Sequence, residues 1–246
     1  MNKILLLTLL VLATVLGACS KDDDREGQRG VNGERLVGSL TCTSDDESYT
    51  NKYEYDKQGR IIKLECTETY NNKTSVYHSF YTYEKNKIVV DDDGDKYIYT
   101  LNDKGLIIKS SDPEYGDIDY QYNDQNQLIR IQGNYENFNI TWKDGNITKE
   151  EYSDKNQTHA YTYSYNNNEN KTIGLNVMYD FGTLNNPLFY CGYFGSTNKN
   201  LVSASSDRGS SYEYEFDKDG YVTVMRGYKT ENGKKILDGT ITVEYK

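Results

Sequence analysis

The sequence predicts an all-β fold: an antiparallel up-and-down meander of about 15–17 short strands, rolled into a closed or nearly closed, barrel-like sheet. Three observations support this prediction. A hairpin-like motif that begins at Tyr53 recurs along the chain. The chain has 25 tyrosines, which favour strands, and only 2 prolines, which would interrupt strand pairing. No segment requires a parallel crossover, and closing the sheet would remove exposed strand edges.

Residues 1–18 have the features of a signal peptide. Lys3 supplies a positive charge, and residues 4–16 form an apolar run that is too short to span a bilayer. The run ends at Leu16-Gly17-Ala18-Cys19, which resembles the bacterial lipobox. The alternative is an ordinary secretory signal with a chance cysteine. The resemblance implies that Cys19 is the mature N-terminus and carries several acyl chains, each buried methylene of which contributes about 0.8 kcal/mol of membrane affinity.

The residues after the cysteine predict a tether and a cellular address. Lys21, Asp22, Asp23 and Asp24 resemble the export signal of surface lipoproteins in Bacteroidetes, although the alternative is a solvated tether whose charges carry no signal. Residues 20–32 are polar and without periodicity, so residues 19–33 are expected to be a lipidated cysteine and a flexible tether. We therefore expect a lipid-anchored protein of the outer membrane, on the cell surface.

Residues 34–246 are predicted to form a single β domain of about 210 residues. Its first strand covers residues 35–43, in which Leu36, Leu40 and Cys42 share one face. The hairpin motif then occurs in three close copies and four looser ones. The close copies cover residues 53–63, 99–109 and 120–130, and the looser copies begin at Tyr81, Ile140, Tyr163 and Tyr214.

Alignment of the three close copies predicts which residues are buried. Apolar side chains recur at three aligned positions, and polar side chains lie between them. The aligned sets are Tyr53, Tyr99 and Tyr120; Tyr55, Leu101 and Tyr122; and, on the return strand, Ile62, Ile108 and Ile129. This alternation is typical of an antiparallel sheet with one face on a core and one in water. We therefore expect all three sets to face the interior.

The turns of the motif are predicted from their glycines. Gly59, Gly105 and Gly220 end equivalent turns and are expected to have positive φ, and Asn126 is the residue best suited to replace glycine there. The acidic stretch 90–95 also contains a glycine and can be compared with a calcium loop. Val89 occupies the position of the first calcium ligand, so a hairpin is the better interpretation.

An insert at residues 180–199 interrupts the alternation. It is rich in aromatic residues, and a short helix is expected near Pro187 because proline is tolerated in a first turn. A barrel of more than about eight strands encloses more space than its own side chains fill. We therefore expect the insert, with Phe189 among its core residues, to pack inside the barrel or across its mouth.

Charge and cysteine content limit the partners and the chemistry. The net charge of −10 and the lack of any Lys and Arg cluster argue against a nucleic-acid partner. If Cys19 is lipidated, Cys42, Cys66 and Cys191 remain. A Cys42–Cys66 disulfide and three buried thiols are both open, but the strand expected between Cys42 and Cys66 favours thiols, because a disulfide requires Cα atoms about 5.5 Å apart.

The hairpins and the insert together resemble a known family. The turns are similar to the tyrosine–aspartate repeats of large bacterial surface and toxin shells. The lipobox, the repeated tyrosine hairpins and the segment 188–201 more closely resemble Bacteroidetes lipoproteins that contain a domain of unknown function with a porin-like fold. The resemblance covers about residues 35–246 and implies no activity or catalytic residues. The strands are expected not to span a membrane, because they have about eight residues and a tyrosine-rich apolar face, whereas spanning strands need about 9–11 residues.

Few residues suggest catalysis. His78 and His159 lie in separate strand-like segments, and Cys191, which could pair with a histidine as a nucleophile, has aromatic neighbours that indicate a buried thiol. Paired carboxylates for glycoside hydrolysis are indistinguishable from a solvated acidic face. Trp142, the one tryptophan, is either a sugar-stacking platform or a core residue, and its alignment with core positions favours the core. No catalytic residue, metal site or cofactor is predicted.

Three functions are consistent with these observations. A surface lipoprotein that binds a glycan, peptide or host molecule without catalysis is favoured by the export signal and the abundant tyrosines. An accessory subunit of an outer-membrane complex would need a contiguous exposed apolar patch. An enzyme acting on an extracellular polymer would need a cleft with two facing carboxylates. The first is the prediction, with the membrane contacted through the lipid anchor alone.

Overall fold

The protein is a closed antiparallel barrel. The structure, a computed structural model, describes residues 35–44, 47–112, 116–171 and 186–246. In these residues 16 strands each pair with their neighbours in sequence, and the last strand pairs with the first. The predicted all-β meander and its approximate number of strands are confirmed. The signal peptide, Cys19 and the tether that the sequence predicts lie outside the described residues.

Most consecutive strands are joined by short connections, residues 170–199 forming a long one, and the described residues include two short 3-10 helices. The strands are β1 (Val37–Thr43), β2 (Glu47–Tyr55), β3 (Ile61–Tyr70), β4 (Lys73–Glu84), β5 (Lys87–Asp92), β6 (Asp95–Leu101), β7 (Ile107–Asp112), β8 (Gly116–Tyr122), β9 (Leu128–Gln132), β10 (Asn137–Lys143), β11 (Asn146–Ser153), β12 (Thr158–Glu169), β13 (Asn200–Ser205), β14 (Ser211–Phe216), β15 (Val222–Glu231) and β16 (Lys234–Tyr245). The 3-10 helices are Pro187–Phe189 and Asp207–Gly209. The acidic stretch 90–95 forms the β5–β6 hairpin, as predicted.

The repeated turn is held by the side chain of its first residue. Asp56 Oδ1 accepts hydrogen bonds from the backbone N–H groups of Gln58 and Arg60, both at 2.9 Å. Equivalent bonds are made by Asn102, Asn123 and Asp217. The residue that closes each turn has the predicted positive φ: 75° at Gly59, 78° at Gly105, 58° at Asn126 and 83° at Gly220. These turns define one end of the barrel, which we call the plug end.

One prediction about the return strands is wrong. Ile62 and Ile108 are each 38% exposed, whereas the preceding residues, Ile61 and Ile107, are fully buried. The reason is a β-bulge that follows each turn: the pairing shifts between Glu54 and Tyr55 and again between Thr100 and Leu101. The third copy has the same bulge, so that Leu128 is buried there instead of the predicted Ile129. The extra residue reverses the side-chain alternation at the start of the return strand. The first inward residue of each return strand therefore stands one position earlier than the simple alternation predicts, whereas the later inward residues, such as Leu64 and Ser110, keep the predicted alternation.

Aromatic side chains link neighbouring hairpins at the plug end. Seven of the even-numbered strands place an aromatic residue whose polar group donates to a backbone carbonyl near the start of the preceding strand. The pairs are Tyr55–Val37, Tyr83–Ile61, Tyr122–Ile107, Trp142–Leu128, Tyr165–Ile147, Tyr214–Val202 and Tyr245–Val222. Leu101 occupies the equivalent position in β6. Trp142 is therefore one member of a structural series, as its alignment with core positions predicted.

Residues 186–199, which we call the plug segment, lie across the plug end and close it. Leu188, Phe189, Tyr190 and Phe194 are buried in the barrel core, and the Phe189 and Phe194 rings stack with centroids 4.1 Å apart. The predicted short helix is the 3-10 turn at Pro187–Phe189, whose first N–H groups are capped by Asn186. The prediction that the insert belongs to the core is confirmed for this part; residues 180–185 lie outside the described residues.

Backbone hydrogen bonds attach the plug segment to successive turns. Tyr193 O accepts from Ile107 N at 2.9 Å, and further along the segment Ser196 N donates to Asn126 O at 2.9 Å. Lys199 N then donates to Gly145 O at 3.0 Å. These contacts join the segment to three hairpins that are adjacent in the barrel, so the segment follows the rim as well as filling the interior.

Gly195 allows the closest of these approaches. Its φ is +83°, and a Cβ atom there would lie 2.1 Å from the Asn126 carbonyl oxygen. No side chain fits at that distance, so glycine is required both for the backbone conformation and for the contact with the turn. The position of the plug segment is thus specified by its sequence.

The chain enters the barrel at the plug end. The carbonyl oxygen of Val37, at the start of β1, accepts a hydrogen bond from the Tyr55 hydroxyl. Arg35 forms an ion pair with Asp217 at 2.6 Å, in the repeated β14–β15 turn. Odd-numbered strands therefore run from the plug end to the opposite end. We call the latter the far end; it carries the turns Asn71–Asn72 and Asp93–Gly94.

The outward face of the barrel is charged. Ion pairs join neighbouring strands, among them Lys63–Glu54 at 3.4 Å, Lys109–Asp117 at 2.6 Å and Arg226–Glu215 at 2.7 Å. Among the described residues, no helix has the length and apolar character that a membrane-crossing helix needs.

Candidate functional site

A cavity of about 290 Å³ lies inside the barrel, on the far side of the plug segment. Its wall is formed by inward residues of four successive strands, β3 to β6, and its floor by the start of the plug segment. The lining residues are Leu64, Cys66, Tyr77, Ser79, Tyr81, Val90, Asp92, Tyr97, Tyr99, Asn186 and Pro187. The alternation of each strand brings these side chains to the inner surface, where the register places Ser79 beside Asp92 and Cys66 beside Tyr77. The cavity is close to the lower end of the usual size for a small-ligand site.

Hydrogen-bonding groups are held in place within this wall. Ser79, which is buried, donates from Oγ to Asp92 Oδ1 at 2.7 Å, fixing the carboxylate against β4. On the floor, Asn186 Nδ2 lies 3.5 Å from the Tyr99 hydroxyl. The cavity therefore presents a fixed carboxylate and an amide between aromatic rings.

Two tyrosines of the cavity, Tyr81 and Tyr99, remain neutral at physiological pH. Burial raises the pKa of Tyr99 to about 12, and it raises the pKa of Tyr81 well above its usual value. The nearby Asp92 carboxylate acts on both tyrosines in the same direction. Their hydroxyls are therefore hydrogen-bond donors and acceptors rather than phenolates, and their rings keep the electron distribution of a neutral phenol.

The structure separates the residues that could form a nucleophilic pair. Cys191 is buried in the plug segment with its Sγ 3.9 Å from Gly59 O, and burial raises the pKa of its thiol to about 11. A nucleophilic cysteine needs the opposite shift. His78 is on the outward face, 3.4 Å from a Glu65 carboxylate oxygen, whereas His159 stacks on Tyr152 on the inward face. The two histidines are thus on opposite faces of the barrel wall.

The remaining cysteines are thiols. Cys42 and Cys66 are both unbridged, and β2 lies between the strands that carry them, as the hairpin order predicted. Cys66 lines the cavity, and burial together with the Glu68 and Asp92 carboxylates raises the pKa of its thiol. No group of three or more metal-ligating side chains occurs in the part of the chain that the structure describes.

A buried carboxylate went unrecognised in the sequence. Glu150 is fully buried, and the Tyr163 hydroxyl donates to its Oε2 at 2.7 Å. Its register with Ile140 places it on the inward face of β11, so the alternation of β10 and β11 could have identified it. The cavity also went unrecognised, because its floor comes from Asn186 and Pro187, about a hundred residues from its wall in sequence.

Comparisons with known proteins agree with the observed architecture. A crystal structure of a porin-like protein from Bacteroides uniformis ATCC 8492 aligns with 85% of this chain and 98% of its own, at 18% identity and a TM-score of 0.70. At this identity the likeness shows a shared fold alone. A comparison with curated proteins gives no match.

Two toxin assemblies give weaker alignments. A TcdB2-TccC3-Cdc42 structure aligns with 83% of this chain and 14% of its own, at 11% identity. The Tc holotoxin pore of Photorhabdus luminescens aligns with 80% of this chain and 12% of its own, at 12% identity. The TM-score is 0.33 in both cases, which is too low to imply a shared architecture.

The family match covers most of the barrel. Residues 53–226 match the family described as a domain of unknown function (DUF4595) with porin-like fold. This range includes the repeated hairpins from β2 to β15, the plug segment and the whole wall of the cavity. The chain therefore belongs to this family.

Proposed function

We propose that this protein is a surface lipoprotein that binds a glycan, a peptide or a host molecule, without catalysis, in the cavity above the plug segment. The observation that supports this most strongly is the cavity itself: four tyrosines, one fixed carboxylate and an amide surround about 290 Å³ of space. Aromatic surfaces with a few well-placed polar groups are typical of ligand sites.

The proposed anchor has a consistent geometry. Lipidation at Cys19 and export directed by Lys21, Asp22, Asp23 and Asp24 would place the anchored end of the chain next to the plug end, because β1 begins there. The far end, toward which the cavity lies, would then face away from the membrane. The charged outward wall suits a barrel in water better than one in lipid, where charged residues on the lipid-facing surface are destabilising.

A non-catalytic role is supported by the composition of the cavity. Asp92 is the one carboxylate among the described lining residues. Glycoside hydrolysis ordinarily uses two carboxyl groups on either side of the scissile bond. The lining also contains no histidine, and the Cys66 thiol has a raised pKa, which disfavours the thiolate needed for nucleophilic attack.

The anchor is tested by substitution at the N-terminus. We expect Cys19→Ala to release the protein from membranes, whereas alanines at Lys21, Asp22, Asp23 and Asp24 should leave lipidation intact and reduce protease accessibility on whole cells. A Cys19→Ala variant that still fractionates with membranes would show that the anchor assignment is wrong.

The binding site is tested by arrays of glycans and peptides probed with the full-length protein in detergent. We expect a ligand whose binding is weakened by Tyr97→Ala, on the cavity wall. Ile98→Ala is the matched control, because Ile98 follows Tyr97 in β6 and faces outward. Equal binding by the two variants would place the ligand elsewhere.

The exposed apolar residues of the outer wall favour a second candidate function. Val76 and Phe80 are each 51% exposed on the outward side of β4. On the same face, Val89 of β5 lies diagonally across from Phe80, and Ile98 of β6 is the partner of Val89 in the next strand. Such a patch would suit an accessory subunit of an outer-membrane complex. In that case Phe80→Asp should reduce the size of the native membrane complex that contains this protein, and Thr242→Asp, exposed on the outward face of β16 and away from this patch, serves as a control.

A further inference from the structure

Carboxylates on the outward and inward faces of strands β2 to β6 differ in whether they form ion pairs with basic side chains. On the outward face, Glu54 and Glu65 both form ion pairs with Lys63. On the inward face, near the cavity, Glu68 and Asp92 form no ion pair within the described residues. Glu68 pairs in register with Tyr49, and Cys66, two residues earlier on the same face, lines the cavity. The inner surface therefore carries negative charge that no ion pair of the described residues neutralises.

The arrangement of Asp92 and Asp95 concentrates this charge. The two residues are directly opposite each other across the β5–β6 hairpin, and both point to the inward face that Tyr97 also occupies. Like charges in directly opposed positions destabilise a sheet. The nearest basic residue on the inward rows, Lys73, lies at the β3–β4 tip and makes no ion pair in the described part of the chain. A cation held between these carboxylates and the cavity would relieve the repulsion.

Tyrosine rings supply the second half of a cation site. Other tyrosines of this chain make cation–π contacts with basic side chains. Lys235 Nζ lies 3.9 Å from the ring centroid of Tyr228, and the Arg60 guanidinium lies 4.4 Å from that of Tyr83. No Lys or Arg of the described residues lies over Tyr77, Tyr81 or Tyr99, three of the four tyrosine rings that line the cavity. Attraction between a cation and an aromatic face strengthens when the site is partly removed from water.

We propose that the cavity binds an organic ammonium group, either a primary amine such as a lysine side chain or a quaternary ammonium such as choline. The inference rests on the proposed binding function and narrows its ligand to a cation. In this arrangement the tyrosine rings contact the alkyl groups around the nitrogen. The Asp92 carboxylate, which accepts a hydrogen bond from Ser79, forms an ion pair with the ammonium group. An anionic ligand is excluded from the same site by Asp92 and by the carboxylates beside it.

Isothermal titration calorimetry on the full-length protein in detergent tests the charge requirement. The probes are choline, N-acetyl-lysine amide and dimethylbutanol, the uncharged analogue in which carbon replaces the choline nitrogen. We expect at least one ammonium compound to bind on the order of tenfold more tightly than the uncharged analogue, with affinity falling as salt increases. The tighter of the two ammonium probes identifies the source of the group, a peptide or a quaternary ammonium compound.

Variants locate the site. Asp92→Asn should lower the affinity for the ammonium probe on the order of tenfold, whereas Asp91→Asn should not, because Asp91 faces outward on the same strand and the change in net charge is identical. Tyr77→Phe should preserve binding, since the ring remains, and Tyr77→Leu should weaken it. Thermal melts of each variant confirm that it is folded.

The outcomes separate this inference from the proposed function. Equal affinity for the ammonium probes and the uncharged analogue, or equal effects of Asp92→Asn and Asp91→Asn, overturns the inference. A neutral glycan that binds in a Tyr77-dependent manner, without ammonium binding, overturns the inference and leaves the binding function intact. If no ammonium probe, array glycan or array peptide binds, both are overturned.

Discussion

The two ends of the barrel differ in how their polar groups are satisfied. At the plug end, Asp56 and its counterparts accept hydrogen bonds from their own turns, and the Arg35–Asp217 ion pair joins the residues before β1 to the β14–β15 turn. Toward the far end, Asp92 and Asp95 are opposed without an ion pair in the described part of the chain. The repeated turns therefore stabilise the plug end, whereas the far end tolerates repulsion between two opposed carboxylates. We propose that the ligand binds toward this far end, beside the opposed Asp92 and Asp95.

Among substitutions that test the stability of the plug end, Phe189→Ala is expected to lower the free energy of unfolding the most. Phe189 is buried and stacks on Phe194 inside the plug end, so its truncation leaves a cavity and should lower the free energy of unfolding by about 3–5 kcal/mol. Denaturant unfolding measures the change. Phe80→Ala, on the exposed outer face, is the control and should change stability by less than about 0.5 kcal/mol. An unchanged midpoint for Phe189→Ala would mean that the plug segment is not part of the core.

Two glycine substitutions compare steric contact with backbone conformation. Gly195→Ala introduces a Cβ atom against Asn126 O and should lower stability by about 1–3 kcal/mol beyond the cost of its positive φ. At Gly105, φ is +78° and nothing lies within 4 Å, so Gly105→Ala should cost about 1 kcal/mol from conformation alone. Thermal melts of the two variants give the comparison. Equal destabilisation would show that the Gly195 contact with the turn is not close.

A single hydroxyl tests the aromatic links between hairpins. Tyr122→Phe removes the 2.6 Å hydrogen bond to Ile107 O and should lower the free energy of unfolding by about 1 kcal/mol. Tyr77→Phe, in the far half of the barrel, should leave the unfolding midpoint unchanged. The presence of Leu101 at the equivalent position of β6 shows that one link can be absent from the barrel. Similar stabilities for both variants would argue against a structural role for the series.

The smallest expected effect concerns pH. Burial alone would raise the pKa of the Asp56 carboxyl, but hydrogen bonds from Arg60 and Gln58 outweigh it and lower the pKa. A carboxyl with a lowered pKa stabilises the fold above its unfolded pKa, about 3.9, and this contribution is lost as pH falls through the lower, folded-state value.

Asp56→Asn should therefore lower the melting temperature slightly at pH 7 and leave it unchanged well below pH 3. Asn102 and Asn123 make the same turn, so the substitution is compatible with the backbone. A difference of equal size at both pH values would assign the effect to the turn rather than to the charge.

Local features of the sequence predicted most of the fold. Turn glycines, alternating tyrosines and scarce prolines predicted the hairpins, because each depends on residues near in sequence. The bulges were not predicted, because a repeat alignment does not show that two residues of one strand lie opposite a single residue of its partner. Ile62 was assigned to the wrong face for this reason. The cavity was not predicted either: Tyr77, Asp92 and Asn186 meet because the barrel closes and the plug segment returns, both of which are long-range contacts.

Residues 186–199 form a fixed floor beneath the proposed ligand cavity, and hydrogen exchange of the backbone amides tests whether this floor is as stable as the barrel. We expect the amides of Ser196 and Lys199, which bond to Asn126 O and Gly145 O, to exchange as slowly as amides of the buried strands. We expect amides near the β3–β4 tip, where β4 begins with exposed residues, to exchange faster. Exchange of Ser196 and Lys199 as fast as that tip would show that the plug segment opens independently of the barrel, and would contradict the claim.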